Sequence, residues 1–194
     1  LRDLLQDQGV EGGITLLGYS MGGSIATVFA YEEPERVSRL ILLAPAGLVH
    51  VPGVMAKVAQ AVPVFGDWLV LTLGGWLLRR GARGQMAHSS IVRELSQLQA
   101  AEVVRRGYLP AVLSSQRNML AEGLEEEHRA LADADIPVQA IWGELDSVIP
   151  IRALGKLTEC NRNVRQSVIN GAGHGLGYTH ADEVLGAIEE GLGG

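Results

Sequence analysis

The sequence predicts an α/β protein: a mostly parallel sheet with flanking helices, plus an inserted helical cap. Three observations predict it. Short apolar runs alternate with helix-compatible stretches, the pattern of sheets built from strand–helix–strand units. The runs at 14–17, 40–45, 137–143 and 166–169 are of the kind found in buried strands. Between the second and third of them, residues 46–135 hold no such run, only helical content broken by Pro52, Pro63, Gly66, Gly74, Gly75, Gly81, Gly84, Gly107 and Pro110. The expected division is a core of residues 1–47 and 135–194 and a cap of residues 48–134.

Taken in order, Leu1, Leu4 and Leu5 sit among charges and are followed by Gly9, which reads as the close of an amphipathic helix. Ile14, Thr15, Leu16 and Leu17 read as a strand buried on both faces. Gly23 to Glu33 is helix-compatible and Pro34 stops it. Gly22, Gly23, Ala26 and Ala30 keep one side of that helix small enough to lie close against a sheet. Leu40-Ile41-Leu42-Leu43-Ala44-Pro45 is the continuous apolar run of a strand covered on both faces. Leu124 to Ala134 starts acidic and carries Leu124 and Leu131, as expected of a helix returning to the core. Ile151 to Glu159 reads as a helix, and Ala181 to Glu190 as a closing helix with apolar residues at 181, 184, 185 and 188.

At 194 residues the chain suggests one domain with one insertion, and 47% hydrophobic content suffices for a substantial core. A formal net charge of -6 without a dense basic run argues against nucleic acid as a partner. Cys160, the single cysteine, cannot form an internal disulfide and reads as inert packing, so a reducing, cytoplasmic location is expected. Metal ligands at helical or hairpin spacing are not evident, and neither a metal nor another cofactor is expected. The residues open at Leu1 without a charged-then-apolar leader, so no secretion signal is read in them.

The stretch Gly18-Tyr19-Ser20-Met21-Gly22-Gly23 places one hydroxyl between glycines where a strand becomes a helix. The turn has to be sharp enough to hold that hydroxyl above the strand end, and Gly18 and Gly22 supply the small neighbours it needs. The backbone N–H of Met21 then falls at a helix N-terminus, aimed at an oxygen that becomes negative during acyl transfer. Asp146 and His174 each follow a strand too, and in open α/β sheets active groups collect at the carboxyl ends of strands. A serine hydroxyl is too weak an acid to attack unaided at neutral pH. His174 is therefore expected to take the proton of Ser20, and Asp146 to fix the imidazole tautomer.

Competing residues fit less well. Glu144 comes two residues early and is expected to face away, Asp135 precedes its strand, and His180 falls at a helix start, where a surface position is expected. His50, His88 and His128 lie in the expected cap. Trp68, Trp76 and Tyr108 are read as packing rather than substrate contacts.

Gly18-Tyr19-Ser20-Met21-Gly22-Gly23, Pro34-Glu35-Arg36-Val37, Trp142-Gly143-Glu144-Leu145-Asp146 and Gly171-Ala172-Gly173-His174 together resemble the alpha/beta-hydrolase family, including its order of serine, acid, histidine. The resemblance spans nearly the whole chain, and the cap falls where that family usually carries its insertion. It implies a serine hydrolase, esterase- or lipase-like, that cleaves a small-molecule carboxylic ester with an apolar acyl or alkyl group through an acyl-enzyme. Carbon–carbon bond hydrolases of ring-cleavage products use the same three residues and are the enzymatic alternative. From another class, a family member that binds a ligand without turning it over, or a truncated and inert one, is the competing reading. Halide- and epoxide-cleaving relatives place aspartate at the elbow, so Ser20 disfavours them.

The family also begins with strands and a His-Gly-type loop that supplies the second oxyanion donor. Neither precedes the elbow here, so these 194 residues are expected to be a fragment of a longer hydrolase. In the cap, residues 61–78 are mostly apolar, broken by Asp67 and Gly74-Gly75 and followed by Arg79-Arg80. A buried helix lining an acyl pocket is the favoured reading, ahead of a lid in peripheral contact with a membrane surface; the charge at Asp67 disfavours a span.

Overall fold

The computed structural model describes residues 1–49 and 90–193, and its contacts divide the chain into two compact units, Leu1–His50 with Glu122–Gly194, and Val51–Ala121. The apolar stretch 61–78, with Trp68 and Trp76, and the histidines His50 and His88 lie outside the described residues. The described strands are β1 (Ile14–Tyr19), β2 (Val37–Leu43), β3 (Val138–Gly143) and β4 (Arg165–Ile169). The described α-helices, numbered in chain order, are α1 (Arg2–Asp7), α2 (Met21–Glu32), α3 (Leu95–Val103), α4 (Tyr108–Arg117), α5 (Glu125–Asp133), α6 (Arg152–Cys160), α7 (Leu176–Thr179) and α8 (Ala181–Leu192).

In the first unit the four strands form a parallel sheet in the order β1-β2-β3-β4, with Leu16 opposite Leu40, Leu42 opposite Ala140 and Ile141 opposite Ser167. Parallel pairing needs a crossover between successive strands, and α2 and α6 supply it between β1 and β2 and between β3 and β4. Because every strand runs the same way, all four carboxyl ends lie along one rim. β2 and β3 form the centre: Leu40, Leu42, Ala140 and Ile141 are wholly inaccessible, as their unbroken apolar runs require.

β1 departs from the expectation of a strand buried on both faces. Its burial alternates, Gly18 being buried while Thr15 and Leu17 are exposed, Leu17 at 49%. The reason is position: among the described residues β1 is an edge strand, and α2 packs on the face that carries Gly18. An alanine Cβ at Gly18 would lie 2.4 Å from the Gly22 carbonyl oxygen and 2.7 Å from Gly23 Cα, so helix and strand meet backbone to backbone. On α2, Gly23, Ala26 and Ala30 are buried with Ser24, Thr27 and Phe29, because the helix packs on β1 and β2 and also on α5.

α5 begins with Glu125, Glu126 and Glu127, whose charges suit the positive end of the helix dipole. Its entry is fixed by Leu124, which donates its N–H to the Gly47 carbonyl at 2.7 Å and packs against that glycine. His128 and Leu131, one turn apart on α5, are both buried, and the helix packs between α2 and α6.

The closing helix also turns differently from the expected face. On α8 the buried positions are Val184, Ala187 and Gly191, with Ile188 partly buried, while Leu185 is 56% exposed. Gln139 of β3 decides this: its amide donates to the Ala187 carbonyl at 2.5 Å and occupies the space that a side chain at Gly191 would need. α1 buries none of its residues, and Leu4 is 60% exposed.

In the second unit the described helices α3 and α4 pack on one another, with Val103 and Leu113 buried. Tyr108 opens α4 and is partly buried. No helix among the described residues is long and apolar enough to cross a membrane. No cluster of three or more metal-ligating side chains occurs among them either.

Candidate active site

Ser20 stands between the end of β1 and the first residue of α2, with φ 54° and ψ -120°, a conformation that L residues rarely adopt. The surroundings hold it there. Its N–H donates to the Leu43 carbonyl at 2.9 Å, and its own carbonyl accepts from Gly23 and Ala46 at 2.9 and 3.1 Å. Ala46 lies in the turn after β2, where Ala44 is itself left-handed at φ 41°. Pro45 of the same turn packs so closely on α2 that a Cβ at Gly23 would approach its Cβ to 2.8 Å. The strained serine is thus clamped by a neighbouring strand end, as strain at a site requires.

The glycines of the motif are unequal. Gly18 and Gly23 are needed for close approach, whereas a Cβ at Gly22 would meet open space. The space requirement read for Gly22 belongs to Gly23 instead, because Gly22 contributes its backbone to the contact with Gly18 while Gly23 faces Pro45.

Asp146 follows β3 and is buried. Its Oδ1 accepts hydrogen bonds from the Val148 and Ile149 N–H groups, each at 2.8 Å, and its Oδ2 lies 2.7 Å from His174 Nδ1. The carboxylate therefore cannot swing, and one oxygen is left for the imidazole. His174 follows β4, with its side chain 21% exposed, and its Nε2 lies 2.9 Å from Ser20 Oγ. An ionised carboxylate only accepts, so the ring proton belongs on Nδ1 and the Nε2 lone pair faces the serine hydroxyl. The three residues named from sequence are thus joined in one hydrogen-bonded chain running from β1 across to β4. Met21 is the first residue of α2, where a backbone N–H has no partner within its own helix.

The loops after β3 and β4 are fastened to each other. Leu145 N–H donates to the Ala172 carbonyl at 2.8 Å and Glu144 N–H to the Ile169 carbonyl at 3.1 Å. Glu144 does not simply face away: although exposed, its carboxylate accepts from the Gly171 N–H at 2.7 Å, three residues before His174. Gly143 is equally constrained, since a Cβ there would lie 2.6 Å from the Ala172 carbonyl.

The remaining candidates stay outside this chain. Asp135 is exposed at φ 53°, and His180 precedes α8 with Nδ1 2.8 Å from Thr179 Oγ1. His128 is wholly buried, neither ring nitrogen has a hydrogen-bond partner among the described residues, and burial lowers its pKa to about 4. Burial likewise pushes the Cys160 thiol up, away from reactivity.

One neighbour was not singled out from sequence. Tyr19 stacks on His174, ring centroids 5.6 Å apart and planes at 29°, and its hydroxyl donates to the His174 carbonyl. The alternation along β1 could have flagged it. Gly18 faces α2, so residue 19 has to face the opposite side of the sheet.

Comparison with known proteins places these features in a family. A curated relative, the pimeloyl-[acyl-carrier protein] methyl ester esterase of Vibrio campbellii, is 31% identical over 162 residues, 81% of this chain and 62% of its own length. The protein of that name in Vibrio parahaemolyticus is 28% identical over 178 residues, 90% of this chain and 68% of its own length. The chain thus spans about two thirds of the length of these relatives. Among solved structures, bromoperoxidase from Bacillus anthracis superposes with a TM-score of 0.77 at 18% identity, covering 100% of this chain and 71% of that one, which is a likeness of fold. The family model described as alpha/beta hydrolase fold matches residues 2–181, and on that match the chain belongs to the alpha/beta hydrolase family.

Proposed function

We propose that this protein is a serine hydrolase that cleaves a carboxylic ester, with Ser20 as nucleophile, His174 as general base and acid, Asp146 as the group that orients His174, and the Met21 N–H as an oxyanion donor. One observation carries the reading: the unbroken chain from Ser20 Oγ to His174 Nε2 at 2.9 Å and from His174 Nδ1 to Asp146 Oδ2 at 2.7 Å. The esterase names of the relatives support ester hydrolysis, and they favour an alkyl ester of an aliphatic acid as the substrate class.

In the proposed reaction, Ser20 Oγ bonds to the ester carbonyl carbon while its proton passes to His174 Nε2. The carbonyl oxygen takes up negative charge, and the N–H of Met21 at the helix N-terminus donates to it. Collapse of this intermediate breaks the bond to the alkoxy oxygen, which leaves as the alcohol with the proton from His174. Water then attacks the acyl-enzyme, giving its proton to the same nitrogen, and the acid departs as Ser20 recovers its hydrogen. Asp146 stabilises the imidazolium formed in both halves without taking the proton itself.

A fluorophosphonate probe tests the assignment on the whole protein. The expected result is one covalent adduct on Ser20 that is lost in Ser20→Ala, with hydrolysis of a p-nitrophenyl ester lost in parallel. A folded wild type that takes no label would instead favour the ligand-binding reading. The cytoplasmic location expected from the lone buried Cys160 stays part of this proposal.

A further inference from the structure

The proposed base and nucleophile stand at opposite edges of the described sheet. Strands in a sheet are spaced by a little under 5 Å, so the β4 end lies about 14 Å from the β1 end across three steps. The His174 loop has to reach back over β2 and β3 to bring Nε2 to Ser20. Its bonds to Glu144 and Leu145 fix it to the β3 loop only, two strands short of the serine.

Tyr19 closes that distance from the other side. It is the residue covalently joined to Ser20, and its side chain packs against the buried cluster of Leu43, Ala44, Ile141, Ile169, Ala172 and Leu176. Its ring lies against the imidazole of His174, Tyr178 of α7 backs it edge-on at 6.1 Å, and its hydroxyl donates to the backbone carbonyl of His174. One side chain thus holds both the main chain and the ring of the proposed base, and is itself locked by the core.

Resting on the reading of Ser20 and His174 as nucleophile and base, we propose that Tyr19 is a positioning residue: it holds His174 in register with Ser20 and presents a π face to the imidazolium that forms during the reaction. The phenol is suited to this because burial, reinforced by Tyr178 and Asp146, pushes its ionisation well above the ordinary tyrosine value, so it stays a donor. A phenylalanine would keep the ring and lose the tether; a leucine would lose both. Asp146, Ser20 and Tyr178 are the other titratable or reacting groups beside this pair among the described residues.

The test compares wild type, Tyr19→Phe and Tyr19→Leu in the whole protein, following p-nitrophenyl ester hydrolysis across pH and the rate of fluorophosphonate labelling. Misplacing a catalytic group by about 1 Å can cost a hundredfold, so Tyr19→Phe is expected to lose roughly tenfold in kcat and in labelling rate, with KM changed less than about twofold. Tyr19→Leu is expected to lose about a hundredfold in kcat and in labelling rate, because the tether and the stacking ring are both gone. Tyr19→Phe with wild-type kcat and labelling rate, or a loss confined to KM, overturns the proposal. If Tyr19→Leu fails to fold, the phenylalanine variant decides alone. Failure of the underlying reading looks different: wild type unlabelled, or Ser20→Ala labelled as fast as wild type, and it overturns both.

Discussion

At the scale of single residues, Gly18 and Gly22 occupy matching places around Ser20 yet meet different surroundings. A methyl group at Gly18 would run into the backbone of α2 at 2.4 Å, and backbone cannot give way as a side-chain tip can. Gly18→Ala is therefore expected to destabilise the fold by about 3 kcal/mol or more, through overpacking. Gly22→Ala, in open space within the first turn of α2, is expected to leave stability unchanged or to raise it by about 0.5 kcal/mol. Urea denaturation midpoints of the two variants check the contrast. Equal losses would show that the motif requires glycine at both positions for a reason other than space.

At the scale of elements, α5 carries a polar group where an apolar one would pack. His128 is buried on a helix that packs on α2 and α6, both its ring nitrogens are without a partner among the described residues, and burial lowers its pKa to about 4. Desolvation disfavours the charged ring, so the folded state keeps His128 neutral while the unfolded chain protonates near pH 6.5. Between those two values the unfolded state binds the extra proton, so stability rises with pH across that window and falls as the solution is acidified through it. The contribution is present in full above the unfolded value, and about 3 kcal/mol of it is lost by pH 4. Unfolding free energies of wild type and His128→Leu between pH 7 and 4 check this. The variant is expected to show the shallower decline, and parallel curves would assign the acid sensitivity to other groups.

At the scale of the whole molecule, the proposed chemistry depends on three loops that meet at one rim because every strand of the sheet is parallel. Groups that act as one unit are not additive when removed. Ser20→Ala, His174→Ala and the double variant are expected to leave nearly the same residual rate, while Asp146→Asn is expected to lower kcat by about ten-thousandfold through the wrong imidazole tautomer. Steady-state kinetics on an ester substrate, run at matched enzyme concentration, check both expectations. A double variant markedly slower than either single one would mean that Ser20 and His174 contribute separately.

The sequence by itself determined the four strands, the helices α1, α2, α5, α6 and α8, and the three candidate residues. Apolar run length separates strand from helix, Pro34 and the glycines mark the ends, and the order of Ser20, Asp146 and His174 after three of the four strands is legible as a line of text. Only the tertiary structure decided what lies across from what. That β1 exposes Leu17, that α8 buries Ala187 in place of Leu185, and that Tyr19 stacks on His174 all depend on partners distant in sequence. The physical reason is that local periodicity fixes which side of an element a residue takes, whereas burial and hydrogen bonding are set by the element that arrives to cover that side, as the Gln139 amide does beneath Gly191.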